Sequence, residues 1–219
     1  MSCCAHCDAT EILFGPEKAS RDLKRYMQKG PDKTTELMLK GIRNAKLANV
    51  RLLDIGGGIG VLHHELFKDT INRAVHVDAS SAFICIAQEQ DLKHGREELV
   101  DYLHGDVVDL AESMPSAQIV TLDRVICCYP DWETLVRVTA EKADTIYTFS
   151  IPRDRWFVRL FIGIENMIRR VKGDAFRAFV HSSEKLDSVL GEMGFKKLGA
   201  KGTLSWEVFT YTNKNSLRS

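Results

Sequence analysis

The run Val50-Arg51-Leu52-Leu53-Asp54-Ile55-Gly56-Gly57-Gly58-Ile59-Gly60 constrains this chain more than any other. Its first half is apolar and predicts a buried strand. Its second half places four glycines in five residues, which permits a tight turn and lets the backbone approach a ligand closely. Val61 to Lys68 then predicts the start of a helix. Strand, glycine turn and helix make a nucleotide-binding corner, where backbone N–H groups face an anionic ligand end. The spacing does not fit the Gly-x-Gly-x-x-Gly of dinucleotide folds. Counted from Gly56 the sixth position is Val61, and from Gly58 it is His63. That failure counts against a nicotinamide oxidoreductase.

A length of 219 residues suits one α/β domain with a small appendage. We divide it at residue 44: an N-terminal cysteine-containing arm with lid helices over 1–44, and the nucleotide-binding domain over 45–219. Lys+Arg and Asp+Glu balance at 30 each, so no global field draws nucleic acid or an anionic membrane. No apolar run reaches membrane-spanning length, so no integral membrane segment is expected. The N-terminus lacks the charged and apolar regions of a signal peptide, and a cytoplasmic protein is expected. There the six cysteines are thiols, metal ligands or reactive groups rather than disulfides. Cys3, Cys4, His6 and Cys7 are too compactly spaced for an ordinary zinc site. They read as a reduced-thiol tail, with a flap over the substrate as the alternative, and no metal is assigned.

The periodicity predicts helices over Pro16 to Lys29 and Lys33 to Asn44, the first ended by Gly30-Pro31 and the second capped by Asp32. Arg73 to Asp78 predicts the second strand. An acid at its end, 18 residues after Gly60, accepts both ribose hydroxyls of a nucleotide. Asp78 and the adjoining Ala79 are the candidates, against a plain helix cap before Ser80. A helix from Ser80 to Lys93 follows. Leu99 to Leu103 is the third strand, Gln118 to Val125 the fourth and Thr145 to Ile151 the fifth, with a helix Trp132 to Ala143 between the last two. Trp156 to Lys172 predicts a helix whose positions Phe157, Leu160, Phe161, Ile164 and Ile168 form core and substrate wall, with a membrane-facing surface as the alternative. Ser183 to Met193 is the last helix; Phe195 to Leu198 and Leu204 to Tyr211 are the last strands.

With Asp54, Gly56, Gly58 and Gly60 in Asp-x-Gly-x-Gly-x-Gly spacing, Asp78 after the second strand and Gly105-Asp106-Val107 after the third, the chain resembles class I S-adenosylmethionine (SAM) methyltransferases. The resemblance covers about Asp32 to Asn213. It implies a Rossmann-like, seven-stranded, mostly parallel sheet with helices on both faces, the last strand antiparallel, and an N-terminal helical lid. It implies SAM as cofactor, held by Asp54, Gly56, Gly57, Gly58, Gly60, Asp78 and Ala79. Asp106 then lies on the adenine amino group with Val107 against the ring, and Leu122, Asp123 and Arg124 pass the amino-acid portion. Leu122-Asp123-Arg124-Val125-Ile126-Cys127-Cys128-Tyr129-Pro130 is further similar to a stretch of the magnesium-protoporphyrin O-methyltransferases, as are Ser150-Ile151-Pro152, Val180-His181 and Gly194-Phe195. Tyr26 stands for that family's tyrosine in the N-terminal arm. The chain departs from it at Cys128, where the family has histidine.

Methyl transfer from a sulfonium is an in-line displacement in which the protein supplies positioning and electrostatics. A carboxylate acceptor needs no base, only groups to orient it, and Tyr129, His181, Arg153 and Arg155 are candidates. A hydroxyl acceptor needs one, for which His181 stands by family analogy. We therefore expect an enzyme acting on a small molecule, with Cys128, Tyr129, His181 and Tyr26 as catalytic candidates and no nucleic-acid partner. One alternative is thiol or metalloid methylation using Cys127, Cys128 and the N-terminal cysteines. Another is a non-catalytic SAM-binding metal or thiol sensor. The sequence does not set the oligomeric state.

Overall fold

The structure, a computed structural model, describes residues 10–217. The Cys3, Cys4, His6 and Cys7 group lies outside them. Helix α1 (Pro16–Lys29) starts with Pro16 in its first turn, and Gly30, at φ +71°, ends it by returning its N–H to the Tyr26 carbonyl. In α2 (Lys33–Arg43) the Asp32 carboxylate accepts the N–H groups of Thr34 and Thr35 at 2.9 and 3.2 Å, which makes it the helix cap. There follow β1 (Val50–Ile55), α3 (Val61–Leu66), β2 (Ile71–Asp78), α4 (Ser81–Lys93), β3 (Val100–His104) and β4 (Ala117–Asp123). After a 3₁₀ turn at Ile126–Cys128 come α5 (Trp132–Ala140), β5 (Ala143–Pro152), α6 (Trp156–Val171), α7 (Ser183–Glu192), β6 (Phe195–Gly202) and β7 (Trp206–Asn213).

The seven strands form one sheet in the order β3-β2-β1-β4-β5-β7-β6. β1 to β5 pair parallel, and β7 runs antiparallel to both β5 and β6. This is the Rossmann-like sheet expected from the sequence. The chain winds outward from β1 to β3 and then returns to the other side of β1 at β4. The two halves part at the carboxyl ends of β1 and β4, which is where open α/β sheets hold ligands.

Side-chain alternation along the strands sorts the core into two faces. Leu53, Val75, Val120 and Tyr147 point to the side covered by α5 and α7, where Leu135, Val136, Leu186 and Leu190 meet them. Leu52, Ala74, Ile119, Ile146 and Val208 point the other way, onto Met38, Leu39 and Ile42 of α2 and Leu62 and Leu66 of α3. α2 is thus part of the packed layer, whereas α1 lies against α4. Two residues further along each strand, on this second face, the layer turns polar. Tyr102, His76, Asp54, Thr121, Thr148 and Thr210 are consecutive register partners, forming one row straight across the sheet.

Two sequence expectations are corrected. β4 stops at Asp123 rather than Val125, because Arg124 takes a left-handed φ of +63° and its N–H turns to the Ser150 hydroxyl at 2.8 Å. In α6 the apolar positions are not core. Leu160, Phe161, Ile164 and Ile168 are exposed, Phe157 is half-buried, and Val158 is the buried residue of the helix. Among the described residues, no helix is long and apolar enough to cross a membrane.

Candidate active site

A cavity of about 570 Å³ opens at the carboxyl ends of β1 and β4. One end is walled by the glycine turn, Gly56 to Gly58, with Asp54, Asp78, Ala79, Asp106 and Val107. The other end is walled by Cys127, Cys128, Tyr129, Phe176 and the α6 residues Val158, Phe161, Ile162, Glu165 and Arg169. Phe14, Lys18 and Arg25, from α1 and the residues before it, close the side.

Glycine is required at this turn for two different reasons. At Gly56, with φ +60°, an added Cβ would stand 2.4 Å from Val125 Cγ2. At Gly58, with φ +58°, it would meet no protein atom within 4 Å. Gly56 is therefore fixed by packing, whereas Gly58 presents bare backbone to the cavity. The Gly58 N–H is donated to Asp78 Oδ2 at 2.8 Å, and the Ser80 N–H to Asp78 Oδ1 at 2.8 Å. Ser80, not Asp78, caps α4, its hydroxyl accepting the Phe83 N–H at 3.3 Å. Asp78 is thus left to join the turn to the end of β2. Burial pushes its carboxyl up to about 6, against the pull of those two N–H groups.

The β4 end is a hydrogen-bonded knot. Asp123 accepts Thr35 Oγ1 at 2.8 Å and Ser150 Oγ at 2.6 Å. Arg124 donates from Nη2 to both oxygens of Asp32 at 2.7 Å and stacks over Trp206, 5.2 Å from the ring centroid. Burial alone would raise the Asp32 carboxyl, but the Arg124 guanidinium outweighs it and holds the group below its usual range. Tyr129 donates its hydroxyl to Asp106 Oδ1 at 2.8 Å. The two sulfurs of Cys127 and Cys128 lie 3.6 Å apart. The Cys127 thiol is pushed well up by its bond to Cys128 and by burial. Cys128 is held down by the same bond and, against burial, by the charge of Arg169.

Of the sequence candidates, Asp54, Gly56, Gly57, Gly58, Asp78, Ala79, Asp106, Val107, Asp123, Arg124, Cys128 and Tyr129 all line this cavity. Gly60, Leu122, Tyr26, His181, Arg153 and Arg155 do not line it. Gly60 precedes α3 at φ +81°, and Leu122 is core. Tyr26 donates its hydroxyl to Glu65 at 2.7 Å, and His181 donates Nε2–H to the Ile126 carbonyl at 3.1 Å. Arg153 faces Glu207 at 3.5 Å. The guanidinium groups on the wall are instead those of Arg25, Arg124 and Arg169. Glu165 and Arg169 were missed because the apolar stripe was followed rather than its neighbour. The inward face of α6 is Val158, Phe161, Ile162, Glu165 and Arg169, which also has helical spacing.

Residues 53–141 match the model of a family described as a methyltransferase domain. The match spans 89 of the 219 residues. The enzyme class and the SAM donor expected from the sequence stand with that match. No curated protein matches the sequence. Among solved structures, the chain is similar to magnesium protoporphyrin IX methyltransferase from Synechocystis with bound SAH. The identity is 16% and the TM-score 0.68, over 89% of this chain and 95% of that one. It is also similar to an O-methyltransferase family 2 protein from Planctomyces limnophilus in complex with apigenin. There the identity is 17% and the TM-score 0.59, over 75% of this chain and 51% of that one. A third is the pyocyanin biosynthetic protein PhzM, at 17% identity and TM-score 0.63, over 90% and 59%. At these identities the likeness establishes the fold. The matched residues supply the glycine turn, Asp78, Asp106 and the Cys127–Tyr129 wall. The α6 wall and the α1 side come from outside the matched residues.

Proposed function

We propose that this chain methylates a small, largely apolar acceptor carrying a carboxylate or hydroxyl, with SAM as donor. The observation that carries the reading is one cavity with two chemically different ends. Gly56 to Gly58, Asp78, Asp106 and Val107 are suited to adenosine. Apolar α6 residues, Phe176 and Arg169 are suited to an anionic or hydroxylated acceptor. Its volume falls in the range of small-molecule sites, roughly 300–1,000 Å³.

In this reading the bound cofactor supplies a methyl carbon made electrophilic by its sulfonium. Asp78 accepts the ribose hydroxyls, and Gly58 lets the nucleoside come close. Asp54 and Asp123 offer negative charge to the cofactor's cationic amino-acid end. Asp106 fixes Tyr129, which borders the acceptor end. Arg169, ion-paired to Asp174 at 2.9 Å and 5.0 Å from the Phe176 centroid, orients an acceptor carboxylate. Val158 and Ile162 exclude water from the reacting pair.

A second reading is favoured by one observation, the adjacent Cys127 and Cys128 sulfurs on the same wall. A soft acceptor, a thiol or trivalent arsenic, would be held there by sulfur. Incubation of the full chain with methyl-labelled SAM and panels of aromatic carboxylates, phenols, porphyrins, fatty acids, thiols and arsenite separates the two. Label on a carboxylate or hydroxyl supports the first reading. Label on thiol or arsenic, lost in Cys128→Ser with SAM binding retained, supports the second. SAM bound without turnover in any panel would point to a sensor.

A further inference from the structure

Beneath the glycine turn lies a buried group of side chains of which the methyl-transfer reading uses only the charge of Asp54. Asp54 from β1, His76 from β2 and His63 from α3 are each essentially inaccessible to solvent, as are Asp91 from α4 and His64. The polar row across the sheet brings Asp54 and His76 side by side as register partners, and α3 lowers His63 onto them. His63 Nδ1 stands 3.9 Å from Asp54 Oδ2 and 3.5 Å from His76 Nδ1. One ligand atom from each of the three residues lies within 4.8 Å of the others.

Hydrogen bonding alone leaves this group unsatisfied. Asp54 Oδ2 and His76 Nε2 are buried and make no hydrogen bond, whereas His64 Nδ1 and Asp91 Oδ1 face each other at 3.3 Å. Buried polar groups are ordinarily paired. His63 Nε2 lies 3.0 Å from Asp91 Oδ2, which makes it the natural donor of that bond. Its Nδ1 faces the unpaired oxygen of Asp54 at 3.9 Å and His76 Nδ1 at 3.5 Å. A metal ion between these ligand atoms would satisfy the unpaired ones in a dry interior.

We propose that Asp54, His63 and His76 form a binding site for one divalent transition-metal ion under the glycine turn. Ligand atoms around a tetrahedral zinc stand about 3.3 Å apart, against 3.5 and 3.9 Å for His63 to His76 and to Asp54, and at most 4.8 Å for the third pair. The outer contacts are those of a metal centre. Asp91 holds the far nitrogen of His63 and is itself bonded by the Tyr102 hydroxyl, and Thr121 donates to the other oxygen of Asp54 at 2.6 Å. Two imidazoles and one carboxylate select zinc and its neighbours over magnesium or calcium, which prefer oxygen alone. Gly57 roofs the site. A Cβ there would stand 2.6 Å from His76 Nδ1 and 2.9 Å from Asp54 Oδ2, in the space the ion takes. The ion acts as a brace, tying β1, β2 and α3 together at the turn.

The test uses the full chain with Cys3, Cys4 and Cys7 changed to Ser, so that N-terminal thiols cannot supply the metal. The protein is stripped with chelator, given zinc or cobalt(II), desalted and analysed for metal by mass spectrometry. We expect one equivalent per chain, and cobalt absorption without a thiolate charge-transfer band. His76→Ala should lose the metal, and Gly57→Ala should lose it with all three ligands in place. Absence of stoichiometric metal in the triple-Ser chain overturns the proposal whatever the other variants do. So does uptake by a folded His76→Ala variant equal to that of its parent.

Discussion

Gly58→Ala separates the two jobs of the glycine turn. The new methyl meets no protein atom within 4 Å, and the Gly58 N–H to Asp78 is kept. The fold then bears only the cost of a left-handed backbone for an L-residue, about 1–2 kcal/mol. For a chain of this size that lowers the thermal midpoint by about 2–8 °C. The same methyl stands in the cavity beside the carboxylate assigned to the ribose. Displacing the nucleoside should weaken SAM binding at least tenfold, about 1.4 kcal/mol. Gly56→Ala gives the contrast. It bears the same backbone cost, and its methyl would stand 2.4 Å from Val125 Cγ2, so stability should fall further. Thermal unfolding and titration calorimetry on both variants make the comparison. A folded Gly58→Ala protein with unchanged SAM affinity would refute the placement of the nucleoside against this turn.

Asp78→Asn replaces two acceptor oxygens by one, so its amide NH₂ must face the N–H of either Gly58 or Ser80. We expect SAM affinity to drop by a factor of ten or more, and calorimetry showing no change would remove Asp78 from the cofactor site. Asp32→Asn should cost about 1–2 kcal/mol at pH 7 by removing the charge that pairs with Arg124, since asparagine caps a helix about as well as aspartate. The Asp32 carboxyl lies lower in the folded chain than in the unfolded one. Its contribution is therefore present at neutral pH and fades as acid titrates it below about pH 4. Urea unfolding of variant and parent should converge in that range, and a gap constant with pH would show that charge plays no part.

Much of this architecture is legible in local chemistry. Pro16, Asp32 and Gly30 mark helix ends by mechanisms that need no tertiary contact. The run from Leu52 to Gly60 encodes strand, turn and helix within a few residues. What was not legible depends on partners distant in sequence. The inward face of α6 mixes Glu165 and Arg169 with apolar residues, because a cavity rather than a core lies under it. The apolar stripe beside it was therefore the stronger signal and the wrong guide to orientation. Tyr26 and His181 carry the right chemistry at the expected positions, yet Glu65 and the Ile126 carbonyl engage them. The polar row was hidden for another reason. Asp54 reads as part of a ligand turn and His76 as one polar residue in an apolar strand. Only the register shows that they are neighbours.

The place of β7 has a consequence for how the protein is made. This strand follows β6 in sequence yet inserts between β5 and β6, and its Val208 meets Met38, Leu39 and Ile42 of α2. A ribosome releases α2 long before its counterpart exists. Until residue 213 emerges, β5 has a bare edge and α2 an uncovered apolar side, features that invite association with other chains. Cooperative closure must therefore wait for β7, and a chain lacking it would keep the β5 edge open.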